Sequence, residues 1–179
     1  MRTMDMLDDP AIPRRVLPSP VGELTLVASA RGLRAVLWVD DEERRVASAA
    51  GPQVGFADDA EAERNLDVAV AQLYEYFAGD RTEFDVPLDP QGTQFQLAVW
   101  KTLQTIPFGR TMSYGEQART LGDVRKARAV GGANGRNPLS IFVPCHRVVG
   151  SNGKLTGFGG GLSAKAWLLD HERNVLAGR

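Results

Sequence analysis

The spacing of apolar positions along the chain changes period several times, and each change predicts an element. In "GELTLVASARGLRAVLWVD", Leu24–Ala28 and Leu33–Val39 are runs of branched and apolar residues that read as strands. "SARG" between them supplies a turn, so the pair predicts a small antiparallel sheet. The acid-rich stretch "DDEERRVASAAGPQVGFADD" carries no period and reads as loop or surface. In "EAERNLDVAVAQLYEYFAG", Leu66, Val70, Leu73, Tyr74 and Phe77 recur at helical spacing, with Gly79 as the stop. "TEFDVPLDPQG" reads as a short strand running into a Pro/Gly linker over residues 87–92.

Beyond that linker the pattern is helical. Thr93 with Gln96 matches a capping box, and Phe95, Val99, Leu103 and Ile106 form an apolar stripe ended by "PFGR". Ser113 with Glu116 is a second capping box, opening a short helix in "SYGEQARTL". Gly122 and Asp123 make a turn, and "VRKARAVGGANG" predicts a third helix ending near Gly135. Two short helices around a tight turn, the second bearing Arg125, Lys126 and Arg128, suggest a helix-turn-helix. Glycine within a helix costs about 1 kcal/mol relative to alanine, so Gly131 and Gly132 call for a reason such as close approach of a partner. The last helix, "SAKAWLLDHERN", is expected to start at Ser163 and to pack through Ala166, Trp167, Leu168 and Leu169.

Charge sharpens this division. Residues 1–100 hold nine Lys/Arg against 18 Asp/Glu, whereas residues 101–179 hold 12 against four. The linker coincides with the switch, which places domains at 1–91 and 92–179. The second half is basic enough for a polyanion, although two halves that merely attract each other would show the same asymmetry. The composition, 43% hydrophobic and 24% charged, is that of a globular domain. No apolar run approaches the roughly 20 residues that span a bilayer. The first 15 residues have acids and prolines where a signal peptide needs an apolar segment, so they read as a tail and the protein as cytoplasmic. One cysteine and two histidines make a structural zinc site improbable, and no metal or cofactor is expected.

The cysteine lies in "IFVPCHRVVG". Flanked by apolar residues, Cys145 suits a buried core position, yet His146 beside it is a base that could activate a nucleophile. Adjacent side chains on a strand point to opposite faces, so direct contact needs a turn at Pro144–Cys145, and otherwise a water must carry the proton. Glu172 and Asp170 are candidate carboxylates to orient the imidazole, with Glu116 a weaker one because of its capping role. From the residues alone, a thiol hydrolase and a binding module without chemistry both remain open.

"PCHRVVG", "SYGEQA", "ARAVGGANGRNP" and "GKLTGFGGGLSAKAWLLDHE" together closely resemble the O6-alkylguanine-DNA alkyltransferases, also called methylated-DNA–protein-cysteine methyltransferases. The match runs from Thr93 to Glu172, with a looser likeness through the strand pair and "YFAGDRTEFDVPLD". The resemblance implies a ribonuclease H-like α/β (α+β) first domain and an all-α, winged-helix-like second domain with the helix-turn-helix. It implies repair by direct reversal: Cys145 takes the alkyl group from guanine O6 irreversibly, one group per molecule, with O4-alkylthymine as a second candidate substrate. In that scheme His146 acts as base through a water, Glu172 holds its tautomer, and Asn137 shapes the cysteine's turn. Tyr114, Val148, Phe158 and Gly159 would contact the extruded base, with the carbonyls of Cys145 and Val148 facing its exocyclic amine. Ser113, Tyr114, Arg125, Arg128, Gly131, Gly132, Arg136 and Ser151 would meet duplex DNA in the minor groove without sequence preference, Arg128 filling the place of the flipped base. The implied state is a monomer in solution, with clustering on DNA as an open alternative. Phe158 stands where many members have Tyr, and the first half lacks the Cys/His set that binds zinc in some relatives. Members that have lost repair carry another residue at the cysteine position, whereas here Cys145 is present.

Overall fold

A computed structural model describes residues 13–41 and 59–178. The first 12 residues, where a tail is expected, and most of the acid-rich stretch, where a loop is expected, lie outside the described residues. The chain forms two compact units, residues 1–91 and 92–179.

In the first unit, β1 (Arg14–Leu17), β2 (Leu24–Ser29) and β3 (Gly32–Trp38) form an antiparallel sheet in that order. A register shift between Val27 and Ala28 marks an irregularity in β2, and Ala30–Arg31 closes the tight turn to β3. All seven residues of β3 are buried. The strand expected near residues 82–88 reduces to a single parallel bridge between Leu33 and Leu88, because prolines at 87 and 90 limit the ladder. Gly32 is required there: a Cβ would lie 2.4 Å from the Pro87 carbonyl oxygen.

Helix α1 (Ala60–Ala78) starts at the Asp59 cap and ends at Gly79, whose φ of 82° is the left-handed stop that glycine allows. Its buried stripe is Ala62, Leu66, Ala69, Leu73 and Tyr76, with Asn65 and Gln72. This corrects the expected face: Tyr74 is exposed, and Val70 and Phe77 are only half-buried. Small Ala62 and Ala69 let the helix lie close, and the apolar count had favoured the larger side chains a little way round the helix.

The second unit consists of α2 (Gln94–Leu103), β4 (Met112–Ser113), α3 (Tyr114–Thr120), α4 (Ala127–Asn134), β5 (Val148–Val149) and α5 (Leu162–Ala177). Both expected capping boxes form, at Thr93–Gln96 and Ser113–Glu116. In α2, Val99, Trp100 and Leu103 are buried, while Phe95 is exposed and Ile106 packs from beyond the helix end. The Trp100 indole N–H donates to the Ala133 carbonyl at 2.8 Å and ties α2 to α4. Gln117 and Asn134 exchange amide hydrogen bonds of 3.1 and 2.7 Å in the interior, fixing α3 against α4. The third expected helix begins as a single 3₁₀ turn, Val124–Lys126, capped by Asp123, before α4 proper.

Two further expectations are amended. The second unit is not wholly helical, because β4 and β5 pair in parallel, Met112 with Val148 and Ser113 with Val149. Ser163 is not the cap of α5: the helix starts one residue earlier behind Gly161, without a side-chain cap. Its buried face is Ala164, Lys165, Leu168, Leu169 and Glu172, and Ala166 and Trp167 are half-buried. Residues three, four and seven apart share a helix face, which puts a lysine and a glutamate on the buried side.

Candidate active site

Asn137 builds the turn that delivers the cysteine. Its side-chain amide donates to the Val143 carbonyl at 2.8 Å, and its side-chain oxygen accepts from the Leu139 N–H at 3.0 Å. Within this loop Ile141 has φ of 77°, a left-handed conformation unfavourable for a β-branched residue and held here by its burial. Pro144 then opens a 3₁₀ turn, Cys145–Arg147, so the three side chains are not on an alternating strand.

Cys145 is 7% exposed, whereas His146 and Glu172 are fully buried. The His146 Nε2 lies 2.8 Å from Glu172 Oε1. A carboxylate only accepts, so Nε2 carries the hydrogen and Nδ1 holds the lone pair in the neutral ring. Nδ1 is buried without a hydrogen-bond partner among the described residues. Burial pushes His146 below its ordinary pKa against the pull of Glu172, and the charges of Arg147 and Lys165 push the same way as burial. Burial opposes ionisation of Glu172, but hydrogen bonds and charge from His146 and Arg147 outweigh it and hold the carboxyl well below its ordinary range.

Of the carboxylates considered, only Glu172 reaches the imidazole. Asp170 is exposed and pairs with Arg173, and Glu116 is engaged in its capping box. Glu172 also accepts from the Gly109 N–H at 3.0 Å.

Two residues that sequence reasoning passed over complete the centre. Arg147 binds Glu172 through Nε, at 2.9 Å to Oε2 and 3.2 Å to Oε1, and through a terminal nitrogen, at 2.8 Å to Oε1. Lys165 is fully buried and donates through Nζ to the carbonyls of Val148 at 2.6 Å and Thr156 at 2.7 Å. Burial lowers its pKa, and the nearby Cys145 opposes that shift. Its spacing of seven from Glu172 was the available signal, since two full turns place both on one face.

The β4–β5 pairing sets Met112 beside Val148, directly after the cysteine turn, and Ser113 beside Val149, with Tyr114 following directly after β4. The Tyr114 hydroxyl donates to the Thr156 carbonyl and accepts from the Thr156 hydroxyl, both at 3.2 Å. Val148 is buried, and its carbonyl already accepts from Lys165, which leaves one lone pair. Phe158 is half-buried and meets the His146 ring edge-on at 6.4 Å, and Gly159 is exposed.

Among the remaining candidates, Arg128, Gly132, Arg136 and Ser151 are exposed. Arg125 is also exposed but is held by Asp123 at 3.0 Å, and the Ser113 hydroxyl oxygen accepts the Glu116 N–H as a helix cap, which leaves its hydrogen to donate. A Cβ at Gly131 would make ordinary contact with the Tyr114 ring at 3.6 Å, and one at Gly132 would meet nothing within 4 Å. Neither glycine is demanded by packing within the fold. Among the described residues, no group of three or more His, Cys, Asp and Glu is placed to hold a metal ion, and no helix is long and apolar enough to cross a membrane.

Comparison with known proteins yields two consecutive family matches. Residues 12–90 match the ribonuclease-like domain of 6-O-methylguanine DNA methyltransferase, and residues 94–174 match its DNA binding domain. A methylated-DNA–protein-cysteine methyltransferase of Mycolicibacterium paratuberculosis is 49% identical over 161 residues, covering 89% of this chain and 91% of that one. One from Methanosarcina acetivorans is 42% identical, covering 88% and 96%. The crystal structure of Mycobacterium tuberculosis OGT in complex with DNA superposes with a TM-score of 0.76 at 46% identity, covering 90% of this chain and 93% of that chain.

Proposed function

The chain belongs to the 6-O-methylguanine DNA methyltransferase family, and from that premise we propose that it repairs DNA by moving the alkyl group of O6-alkylguanine onto Cys145. The observation that carries this reading is the open Nδ1 of a His146 ring whose other nitrogen is fixed by Glu172, one residue from the chain's only cysteine. The thiol proton passes to Nδ1 through a water, and the thiolate attacks the alkyl carbon. The S–C bond forms as the C–O6 bond breaks, and guanine leaves with the electron pair. The thioether product has no leaving group that water can displace, so each molecule reacts once.

Guanine O6 is engaged inside a base pair, so the nucleotide must leave the stack at a cost of a few kcal/mol. Arg128 fills the gap from the exposed side of α4, and the spare room at Gly132 lets the duplex come close in the minor groove. In this reading α3 and α4 form the helix-turn-helix, with the β4–β5 pair beside it in a winged-helix-like unit. Tyr114 turns its single hydroxyl hydrogen from the Thr156 carbonyl toward the extruded base, the second lone pair of the Val148 carbonyl reads its exocyclic amine, and the Gly159 N–H faces O6. Phosphate contacts by Arg125, Arg136, Ser113 and Ser151 supply sequence-independent affinity. The protein acts as a cytoplasmic monomer, residues 1–91 supporting the reactive domain.

Duplex containing radiolabelled O6-methylguanine tests this. Label is expected to move to protein with a plateau near one per molecule, and Cys145→Ala is expected to abolish it. Label that stays on DNA would sink the proposal, and product released far beyond one per molecule would make the protein a hydrolase.

A further inference from the structure

Glu172 is not a simple partner of His146, because Arg147 occupies the same carboxylate and shares its Oε1 with the imidazole. The guanidinium places three hydrogen bonds on the two carboxylate oxygens and a fourth, of 2.7 Å, on the Ile106 carbonyl. Both side chains are buried, so these charges act with little screening by water. The groups acting on the His146 ring are Glu172 and Lys165 from α5, Arg147 from its own turn, and the Phe158 ring at 6.4 Å, and Cys145 precedes it in the same turn.

Charge counting gives Arg147 a task. Against the burial that disfavours charge on the ring, a buried carboxylate facing an imidazole pulls it toward the ion pair, with both ring nitrogens protonated. Such a ring could not take a proton from a thiol. With Arg147 already neutralising Glu172, a second proton on His146 would leave excess positive charge in a closed site that also contains Lys165. The ring therefore stays neutral until a thiolate forms beside it to balance the imidazolium.

We propose that Arg147 is a positioning residue for alkyl transfer: by occupying the Glu172 carboxylate it keeps His146 in the neutral Nε2–H form, with the Nδ1 lone pair ready to receive the Cys145 proton. This rests on the alkyl-transfer reading given above, but its readout does not. Arg147 touches neither thiol nor base in this scheme and acts through Glu172.

The test combines ¹⁵N NMR of histidine-labelled full-length protein with single-turnover transfer rates across pH. His171, the other histidine, is assigned by its loss in His171→Gln. In the wild type at pH 7, His146 should show one protonated nitrogen and one bare, strongly deshielded nitrogen. Arg147→Met should bring the two signals together as imidazolium, shift the acid limb of the rate profile upward, and slow transfer at pH 7 by roughly an order of magnitude. Arg147→Lys should recover the neutral-ring signature and part of the rate, since charge returns without the planar fork. A wild-type ring that is already imidazolium, or bare at Nε2, would overturn the proposal even if no variant folds. So would a folded Arg147→Met with the wild-type signature. Failure of the wild type to accept a methyl group would instead remove the functional reading and leave the NMR result to stand on its own.

Discussion

Asn137 illustrates how one side chain governs the site. Its two hydrogen bonds span the loop whose Val143 carbonyl also accepts from the Cys145 N–H at 2.8 Å. Asn137→Ala leaves the buried Leu139 N–H unpaired and the Val143 carbonyl with only the Cys145 N–H, which should cost about 1–3 kcal/mol in urea unfolding and misplace the thiol. Asn137→Asp should do no better, because a carboxylate oxygen would then face the Val143 carbonyl where a donor is needed. Wild-type stability in either variant would remove this role. At this scale Cys145 and His146 were legible because a single cysteine beside one of two histidines is scarce chemistry, whereas Glu172 shared its candidacy with Asp170 until the family resemblance singled it out. Lys165 and Arg147 were not legible, since basic side chains are ordinarily solvated: the one local sign for Lys165 is its helix face shared with Glu172, and Arg147 has none.

At the scale of elements, α4 offers the clearest separation of binding from chemistry. It is locked from within by the Gln117–Asn134 amide pair and the Trp100 indole, while Arg128 points to solvent on the other side. Arg128→Ala should therefore leave the fold intact and impair repair of duplex DNA by at least about tenfold. Reaction with a free O6-benzylguanine-like base should change far less, and equal loss on both substrates would remove the proposed role in base extrusion. The capping boxes and the Gly79 stop were readable because caps are local hydrogen-bond chemistry. The rotated face of α1, the missing strand near residue 85 and the early start of α5 were not, because neighbouring elements decide burial and pairing.

For the whole molecule, the second unit is basic, and all four of its acids have internal duties. Glu116 and Asp123 cap helices, Asp170 pairs with Arg173, and Glu172 lies in the buried centre. That charge suits a polyanion, and DNA affinity should fall steeply as salt rises. The same buried centre sets acid stability. The folded chain resists protonating His146 below its ordinary value of 6.5, whereas the unfolded chain accepts the proton, so stability must fall as pH drops from there. Glu172, held below its ordinary 4.5, extends the loss further into acid. The urea midpoint followed by tryptophan fluorescence should thus decline below about pH 6.5, and a midpoint that rises on acidification would contradict a neutral buried His146. What the sequence determined by itself is whatever short-range chemistry dictates: helix caps, the strand pair, the charge switch at the linker, and the single Cys-His dipeptide. Only the tertiary structure decided that β4 and β5 pair, joining the strand before Tyr114 to the strand after the cysteine turn, that Arg147 is buried on the Glu172 carboxylate, and that Lys165 is buried on the Val148 carbonyl. Those outcomes depend on contacts between residues 17 to 42 positions apart, where exclusion of water by the packed fold, not local propensity, sets the energy.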